Sequence, residues 1–242
     1  MAKLFSLNIE RSKHLHRWLP YVRALAPDIL CLQEVVTPDL QQIRDATGLD
    51  HCHHVEMAIH PDGNQPFGVA ILARHPFTDT KTVVYAGDSN GQQLFDRTTD
   101  ETKIATCRYV LPVAHVKIGE TDFTVTTTHF PWTPDGEPRP FQTAAAESLV
   151  SKLGTGPVIL TGDFNAPRGG PIFAALAARW RDNIPALAKT SIDPDLHRAG
   201  ALQLMVDGLF TSPEFTASDV RLVPGLSDHQ GVSAMIARHV SA

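Results

Sequence analysis

Cysteine and long apolar runs are scarce in this chain of 242 residues. Its three cysteines, Cys31, Cys52 and Cys107, are too few and too scattered for a disulfide framework or a zinc knuckle. No apolar run approaches the roughly 18 residues of a membrane-spanning helix, and the first residues do not resemble a signal peptide. We therefore expect a cytoplasmic protein with no membrane span.

Positive charge is also in deficit. Lys and Arg number 21 against 26 Asp and Glu, which gives a formal net charge of −5. Non-specific binding to duplex nucleic acid depends mainly on Lys and Arg that neutralise phosphates. The excess of acidic residues therefore argues against a strongly basic, processive duplex nuclease. A local basic patch remains compatible with this composition.

The composition is that of an ordinary globular protein. Hydrophobic residues make up 43% of the chain and charged residues 19%. The length is ample for a buried core, and neither a linker nor a repeat interrupts the sequence. We expect one domain over residues 1–242, and a monomer.

Short apolar runs typical of buried strands alternate with helical segments. Strands are predicted at residues 4–9, 28–34, 68–72, 104–118, 123–129, 158–161, 205–211, 216–223 and 231–237. Helices are predicted at residues 15–25, 38–46, 141–153 and 171–180. Hairpins that coexist with helices favour an α/β sandwich of two mixed sheets covered by helices on both outer faces.

Three polar stretches interrupt this pattern, at residues 87–103, 131–140 and 188–203. Loops this long in a compact domain are usually functional or disordered. Each adjoins a candidate site residue, so we expect these stretches to select the substrate. Trp132 in the second stretch is suited either to stacking on a base or sugar, or to anchoring its own loop.

Polar residues follow six strand-like segments. A strand delivers the side chains at its end rigidly to one edge of a sheet, where sites are commonly built. The residues in question are Asn8, Glu34, His129, Asp163 with Asn165, Asp207, and Asp228 with His229. Carboxylates, amides and imidazoles that lie together at one edge are typical of a metal-assisted hydrolase.

Glu34 is the first candidate metal ligand, since it ends a nearly continuous apolar run. An unpaired carboxylate in that position would be costly, so a cation is a reasonable partner. Mg²⁺ takes carboxylate oxygens, commonly from only one or two protein residues. Glu34 with Asp228, and with Asn8 or Glu10 nearby, would suit it. The simpler alternative is a glutamate paired with an arginine.

Asp163 and Asn165 lie two residues apart and therefore share one face of an extended segment. Asp163 can orient or deprotonate a water molecule, and the Asn165 amide can donate to a phosphate oxygen. The alternative is an Asx-turn in which both side chains bond only the backbone.

Two histidines complete the candidate set. A protonated His229 can donate to charge developing on a phosphoryl oxygen, and Asp207 can hold its ring in one tautomer. His129 supplies a second imidazole, although a lone histidine at a strand end is usually structural. The run His51-Cys52-His53-His54 is interpreted as structural, because alternation divides it between two faces and no second pair completes a zinc site.

Several of these motifs occur in a set order along the chain. They are Asn8-Ile9-Glu10, Leu32-Gln33-Glu34-Val35, Thr128-His129-Phe130, Gly162-Asp163-Phe164-Asn165, Val206-Asp207-Gly208-Leu209-Phe210 and Ser227-Asp228-His229. Together they resemble the endonuclease/exonuclease/phosphatase superfamily, as does the strand at residues 68–76. The resemblance covers residues 4–236, and its specificity lies in the ordered set.

The resemblance implies a four-layer α/β/β/α sandwich and Mg²⁺- or Mn²⁺-dependent cleavage of phosphate esters. It implies that Glu34 binds metal with help from Asn8 and Asp228. The remaining implied roles are water and phosphate positioning by Asp163 and Asn165, transition-state stabilisation by His229, support of a histidine by Asp207, and phosphate contact by Arg108.

Two positions depart from the family pattern. His129 stands where the abasic-site endonuclease branch carries a tyrosine, which aligns the chain better with the DNase-like, sphingomyelinase-like, deadenylase-like and tyrosyl-DNA phosphodiesterase-like branches. Glu10 replaces an aspartate that is frequent in the first motif.

The leading hypothesis is a hydrolase of a phosphodiester or phosphomonoester, and the alternative is a catalytically inactive phosphate-binding scaffold. Nucleic-acid ends, lipid headgroups and small phosphodiesters are all open as substrates.

Overall fold

The computed structural model describes residues 1–87 and 90–239, and within them the chain forms twelve strands, five α-helices and a 3₁₀ turn at Thr37–Asp39. The strands are β1 Ala2–Asn8, β2 Ile29–Val36, β3 His51–His60, β4 Gln65–Ala73, β5 Phe77–Ala86, β6 Tyr109–Ile118, β7 Thr121–His129, β8 Ile159–Asp163, β9 Arg181–Asp182, β10 Asp207–Thr211, β11 Phe215–Val223 and β12 Gly231–Arg238. The helices are α1 Leu15–Leu25, α2 Leu40–Thr47, α3 Asp100–Thr106, α4 Pro140–Leu153 and α5 Pro171–Ala177.

The strands form two six-stranded sheets. One has the order β11-β12-β1-β2-β4-β3 and the other β5-β6-β7-β8-β10-β9. Each sheet contains one parallel pair, β1 with β2 and β7 with β8, among antiparallel neighbours. The predicted α/β class with two mixed sheets is confirmed.

Side chains of the central strands are buried on both faces of the first sheet. Phe5 and Leu30 pack on one face against Trp18 and Val22 of α1. Their neighbours in sequence point the other way, and Cys31 packs in the layer between the sheets. Burial on both faces explains why these strands consist of almost continuous apolar runs.

The second sheet is covered in the same manner. Leu149 of α4 and Leu176 of α5 pack with Leu160 and Phe210 of its central strands. Helices thus lie on the outer side of each sheet, which completes the four layers that the resemblance implied. No helix in the part of the chain that the structure describes is long and apolar enough to cross a membrane.

The prediction was wrong near α3 and incomplete at three strands. Residues 104–106 end a helix instead of starting a strand, because Thr99 and Thr102 form a reciprocal capping box that begins α3 inside the expected loop. Strands β3, β5 and β9 were not predicted: β3 carries the histidine run, most of β5 is exposed, and β9 has only two residues. Residues 88 and 89 of the expected loop lie outside the described residues.

Strand register places the chemistry-bearing residues in one row. His129 is the partner of Asp163 across β7 and β8, and Asp163 is the partner of Asp207 across β8 and β10. In the other sheet, Asn8 of β1 is the partner of Gln33, the residue before Glu34. Both sheets therefore present polar side chains at the same edge.

Gly162 allows this row to form. Its φ is 147°, and a Cβ built on it would lie 2.2 Å from the carbonyl oxygen of Thr128 in the neighbouring strand. Only glycine permits β7 and β8 to approach so closely at the residue before Asp163.

Candidate active site

The carboxylate of Asp163 lies at the centre of the candidate site and is only 1% exposed. Its Oδ2 accepts a hydrogen bond from Asn8 Nδ2 at 3.0 Å. The same oxygen lies 3.6 Å from His129 Nε2 and 3.7 Å from His229 Nε2. The buried carboxylate of Asp163 is therefore surrounded by an amide and two imidazoles that come from three other segments of the chain.

His229 and Asp207 form a buried pair. His229 Nδ1 lies 2.8 Å from Asp207 Oδ2, and Ser191 Oγ accepts hydrogen bonds from the backbone N–H groups of Val206 and Asp207. Burial alone would lower the pKa of His229, but the negative charges of Asp207 and Asp163 outweigh it and raise the pKa well above its ordinary value. A raised pKa favours the protonated ring, whose Nδ1–H faces Asp207 Oδ2 and whose Nε2–H faces Asp163.

Glu34 does not end its strand, as the sequence predicted, but lies in an irregularity of it. β2 continues to Val36, and its pairing with β4 shifts between Leu32 and Val35. Glu34 has a left-handed φ of 58°, which few non-glycine residues adopt. A bulge commonly re-aims a side chain next to an active site, and here it directs the carboxylate to the edge that carries Asn8.

The two oxygens of Glu34 face different groups. Oε1 lies 3.4 Å from Asn8 Nδ2 and 3.9 Å from His129 Nε2. Oε2 lies 3.9 Å from Nε of Arg11. None of these contacts is a short hydrogen bond, and 22% of the side chain is exposed, so the carboxylate retains acceptor capacity for a ligand.

Asp228 lies in a strongly acidic environment. Burial raises the pKa of its carboxyl to about 7, the positive charge of His229 opposes this, and the charges of Glu34 and Glu10 raise it further. Within the described residues its side chain accepts one hydrogen bond, from Ser227 Oγ at 3.1 Å. A buried carboxyl close to two other carboxylates is where a cation would relieve the repulsion.

Glu34 and Asp228 are better suited to bind a hard divalent metal than a second group of potential ligands is. Asp163, Asp207 and His229 also offer ligand atoms within 4.8 Å of one another. However, Asp207 Oδ2 and His229 Nδ1 already face each other at 2.8 Å, which leaves fewer ligand atoms for a metal in this group. Among the described residues, Glu34 Oε2 and Asp228 Oδ2 accept no hydrogen bond, so each carboxylate keeps one oxygen for a metal.

Two predicted site residues, Glu10 and Asn165, have partners that change how they can act. Glu10 binds Lys13 and His14 through both of its oxygens, so its charge acts on the site while its oxygens are already engaged. Asn165 donates Nδ2–H to the carbonyl of Phe130 at 2.8 Å and its backbone N–H to Asp163 Oδ1 at 2.8 Å. The Asx-turn is therefore present, and one amide proton of Asn165 is left for a ligand.

Arg108 is the predicted residue that the structure does not bring into the cluster. Its Nε donates to the carbonyl of Glu56 at 2.7 Å, and its guanidinium lies beside Gly91. Among the described residues, no hydrogen bond or ion pair joins it to Asp163 or to either histidine.

The sequence motifs did not single out two residues that contact or influence the site. Arg11 follows the first motif directly, and its place after Glu10 was the only signal. His197 lies in the polar stretch 188–203, and its Nδ1 accepts from the backbone N–H of Ala199 at 3.2 Å, which leaves the ring proton on Nε2. Burial lowers the pKa of His197, and the positive charge of His229 lowers it further.

A model of the Endonuclease/Exonuclease/phosphatase family matches residues 5–229 of this chain. A sequence search of curated proteins finds no match. Among solved structures, an endonuclease/exonuclease/phosphatase from Bacteroides vulgatus is similar, with 18% identity, a TM-score of 0.71 and coverage of 98% of this chain and 99% of that chain.

Two further structures are similar over nearly the same length. The human Nocturnin catalytic domain with bound sulfate has 18% identity, a TM-score of 0.72 and coverage of 98% and 93% of the two chains. A mannosyl-6-phosphatase from Bacteroides thetaiotaomicron has 16% identity, a TM-score of 0.69 and coverage of 98% and 100%. At these identities the likeness establishes the fold.

Proposed function

Since the chain belongs to the endonuclease/exonuclease/phosphatase family, whose members are phosphoesterase hydrolases, we propose that it is a Mg²⁺- or Mn²⁺-dependent enzyme that hydrolyses a phosphodiester bond, or a phosphomonoester, by in-line attack of water. One observation supports this most strongly. Asp163 Oδ2 lies within 3.7 Å of Asn8 Nδ2, His129 Nε2 and His229 Nε2. A proton acceptor and three donors converge on one point, as phosphoryl transfer requires.

Glu34 and Asp228 would hold the metal, with Asn8 orienting the Glu34 carboxylate. The raised pKa of Asp228 and the uncommitted oxygens of Glu34 fit a cation there. A bound divalent ion supplies positive charge that offsets the negative charge developing on the phosphoryl oxygens.

Asp163 is proposed to orient the attacking water and accept its proton. Asn8 Nδ2 and the backbone N–H of Asn165 fix the two carboxylate oxygens, so the geometry is established before substrate arrives. Preorganisation of this kind lowers the barrier because no reorientation is needed during the reaction.

His229 is proposed to donate Nε2–H to a phosphoryl oxygen as charge develops. Asp207 holds the ring through Nδ1–H and keeps it protonated. His129 approaches from the other side of Asp163, so the two imidazoles can bind different oxygens of one phosphoryl group. The remaining amide proton of Asn165 is suited to a third oxygen.

The experiment that tests this function is a screen of the purified protein with Mg²⁺, Mn²⁺ or chelator. The panel contains plasmid DNA, single-stranded oligonucleotides, bis-p-nitrophenyl phosphate, inositol phosphates, a sugar phosphate and sphingomyelin. We expect hydrolysis of at least one ester that stops in chelator and returns with metal. Binding of phosphate compounds without any turnover would instead identify an inactive scaffold.

Asp163→Asn keeps the shape of the side chain and removes its charge. We expect kcat on the best substrate to fall by at least about 10²-fold, which is typical for loss of a general base. Asp79→Asn, an exposed change in β5, is the matched control and should leave kcat unchanged. Equal rates for the Asp163 variant and wild type would exclude Asp163 as the base.

A further inference from the structure

Arg11 is a cation fixed beside the candidate metal ligand Glu34. Its Nη1 donates to Asp62 Oδ2 at 3.1 Å and to His60 Nδ1 at 3.0 Å. The backbone N–H of Asp62 also donates to His60 Nδ1, at 3.0 Å. Because both partners of that nitrogen are donors, Nδ1 is the unprotonated acceptor of a neutral ring. His60 and Asp62 thus hold one arm of the guanidinium.

The other N–H groups of the Arg11 guanidinium make few contacts, although the side chain is only 19% exposed. Its Nε is buried and has no hydrogen-bond partner among the described residues. Within the same part of the chain, the hydrogen bonds of this side chain all use Nη1. A buried guanidinium N–H without a partner is unfavourable and calls for a functional explanation.

The backbone is also strained at this point. Glu10 and Arg11 have φ values of 46° and 61°, so two successive non-glycine residues adopt the left-handed conformation. Strain of this kind persists where the surrounding structure enforces it, and it is concentrated at active sites and ligand clamps. The loop after β1 therefore holds Arg11 in a position that folding alone does not favour.

Arg11 lies on the opposite side of Glu34 from the catalytic cluster. Glu34 Oε1 faces His129, whereas Oε2 faces Arg11. One carboxylate thus separates the guanidinium from the place where the reacting phosphate is proposed to bind. An anion bound by Arg11 would be a neighbouring group of the same substrate.

On the side of Arg11 that carries His60, a series of aromatic contacts leads to a second arginine, Arg97. His60 contacts Phe67 edge-on with ring centroids 5.5 Å apart, and Phe67 lies 6.0 Å from Phe95. The guanidinium of Arg97 lies 6.0 Å from the Phe95 centroid. Arg97 is exposed and near enough to Asp62 for its charge to act on that carboxylate. Arg97 is thus a second guanidinium on the side of Arg11 that carries His60 and Asp62.

We propose that Arg11, positioned by His60 and Asp62, binds a second phosphate group of the substrate, next to the one that is hydrolysed. The inference rests on the proposed function and names its substrate class as esters that carry two phosphates. Arginine suits this role because its planar guanidinium stays charged and can donate several hydrogen bonds to phosphate oxygens. A nucleotide or a phosphorylated polyol could carry the second phosphate.

A pair of substrates with the same reacting bond tests this directly. Thymidine 5′-p-nitrophenyl phosphate has one phosphate, and its 3′-phosphorylated counterpart has two. A p-nitrophenyl ester of glycerol phosphate, with and without a phosphate on the glycerol, distinguishes a nucleotide from a polyol as the carrier. We expect wild type to prefer the two-phosphate ester in at least one pair, by about 10–100-fold in kcat/KM, which corresponds to one charge-assisted hydrogen bond.

Arg11→Gln should abolish that preference, and Arg11→Lys should restore part of it. Arg23→Gln, which removes an exposed arginine of α1, is the control and should keep the full preference. Thermal unfolding of each variant establishes that it is folded. Equal losses on both esters of a pair would overturn the proposal, because Arg11 would then act on the reacting phosphate or on Glu34.

Calorimetry separates this inference from the proposed function. We expect thymidine 3′,5′-bisphosphate to bind wild type more tightly than thymidine 5′-monophosphate, or the glycerol bisphosphate more tightly than its monophosphate, with the difference lost in Arg11→Gln. If wild type with Mg²⁺ or Mn²⁺ hydrolyses neither these esters nor any substrate of the screening panel, the proposed function is wrong, and the binding difference still decides the role of Arg11. Equal binding by wild type and Arg11→Gln would overturn it.

Discussion

His229 and Asp207 are two buried residues whose charges depend on each other. The charges of Asp207 and Asp163 raise the pKa of the imidazole despite its burial, which favours its protonated form. Its Nδ1 is occupied by Asp207, so only Nε2–H can act on a ligand. A fixed, charged donor of this kind contributes most when negative charge develops in the transition state.

We predict that His229→Ala lowers kcat by about 10²–10³-fold while KM changes little, since the donor acts mainly in the transition state. Asp207→Asn should be milder, because the ring would keep its position while losing part of its stabilising charge. Steady-state kinetics on the best substrate measures both. A rise in KM alone for His229→Ala would show that the residue binds the ground state.

Gly162 determines the spacing of two strands beneath Asp163. A methyl group there would meet the Thr128 carbonyl at 2.2 Å, and its φ of 147° is unfavourable for other residues. We predict that Gly162→Ala lowers the free energy of unfolding by about 2–4 kcal/mol, from overpacking and backbone strain together. Chemical denaturation measures it.

Gly156→Ala is the control for Gly162→Ala, since a Cβ on Gly156 meets nothing within 4 Å. Its stability should stay close to that of wild type. Equal stability of the two variants would mean that β7 and β8 can move apart without loss, contrary to the role given to Gly162.

At the scale of elements, the stretch 188–203 is bonded to the segment that carries Asp228. The backbone N–H of Asp193 donates to the carbonyl of Asp228 at 2.9 Å, and Asp193 Oδ2 accepts from the N–H of Gly225 at 2.6 Å. The buried carboxylate of Asp193 therefore holds this loop against Gly225, while the backbone of the same residue is bonded to the candidate metal ligand Asp228.

Asp193→Ala should consequently weaken Mg²⁺ binding by about 10–100-fold, as is typical when a residue that orients a ligand is removed. Isothermal titration calorimetry measures the affinity. Asp195→Ala, an exposed change in the same stretch, should bind Mg²⁺ like wild type. Unchanged affinity in Asp193→Ala would mean that the bond between Asp193 Oδ2 and the N–H of Gly225 does not position Asp228.

The elements also show what the sequence could and could not predict. The apolar runs before Asn8, His129 and Asp163 identified buried strands, and the ordered motifs predicted the family and its layers. The bulge at Glu34 could not be predicted, because it depends on the pairing of β2 with β4. The partners of Arg108 and Arg11 depend on chain segments far away in sequence. The catalytic and metal-binding roles stay predictions.

At the scale of the whole molecule, the ionised carboxylate of Asp228 destabilises the folded state in the absence of a cation. Burial disfavours its negative charge, and Glu34 and Glu10 repel it. A ligand that binds only the folded state stabilises it, by about 2.7 kcal/mol at a concentration 100 times its Kd.

We therefore predict that saturating Mg²⁺ raises the Tm by roughly 5–10 °C, given about 2–4 °C per kcal/mol for a chain of this size. Differential scanning calorimetry measures the shift. Glu34→Gln should abolish most of it, and Glu147→Gln, an exposed change in α4, should not. A full shift in Glu34→Gln would remove Glu34 from the metal site.

The candidate site is divided between the two sheets. Asn8 and Glu34 come from one, and His129, Asp163 and Asp207 come from the other. The 3.0 Å contact of Asn8 with Asp163 therefore exists only while the sheets are stacked in register. In a molten globule, secondary structure survives but fixed packing does not. Such a state of this chain would keep most of its circular dichroism signal and have no working site, so turnover reports the packing of the sandwich.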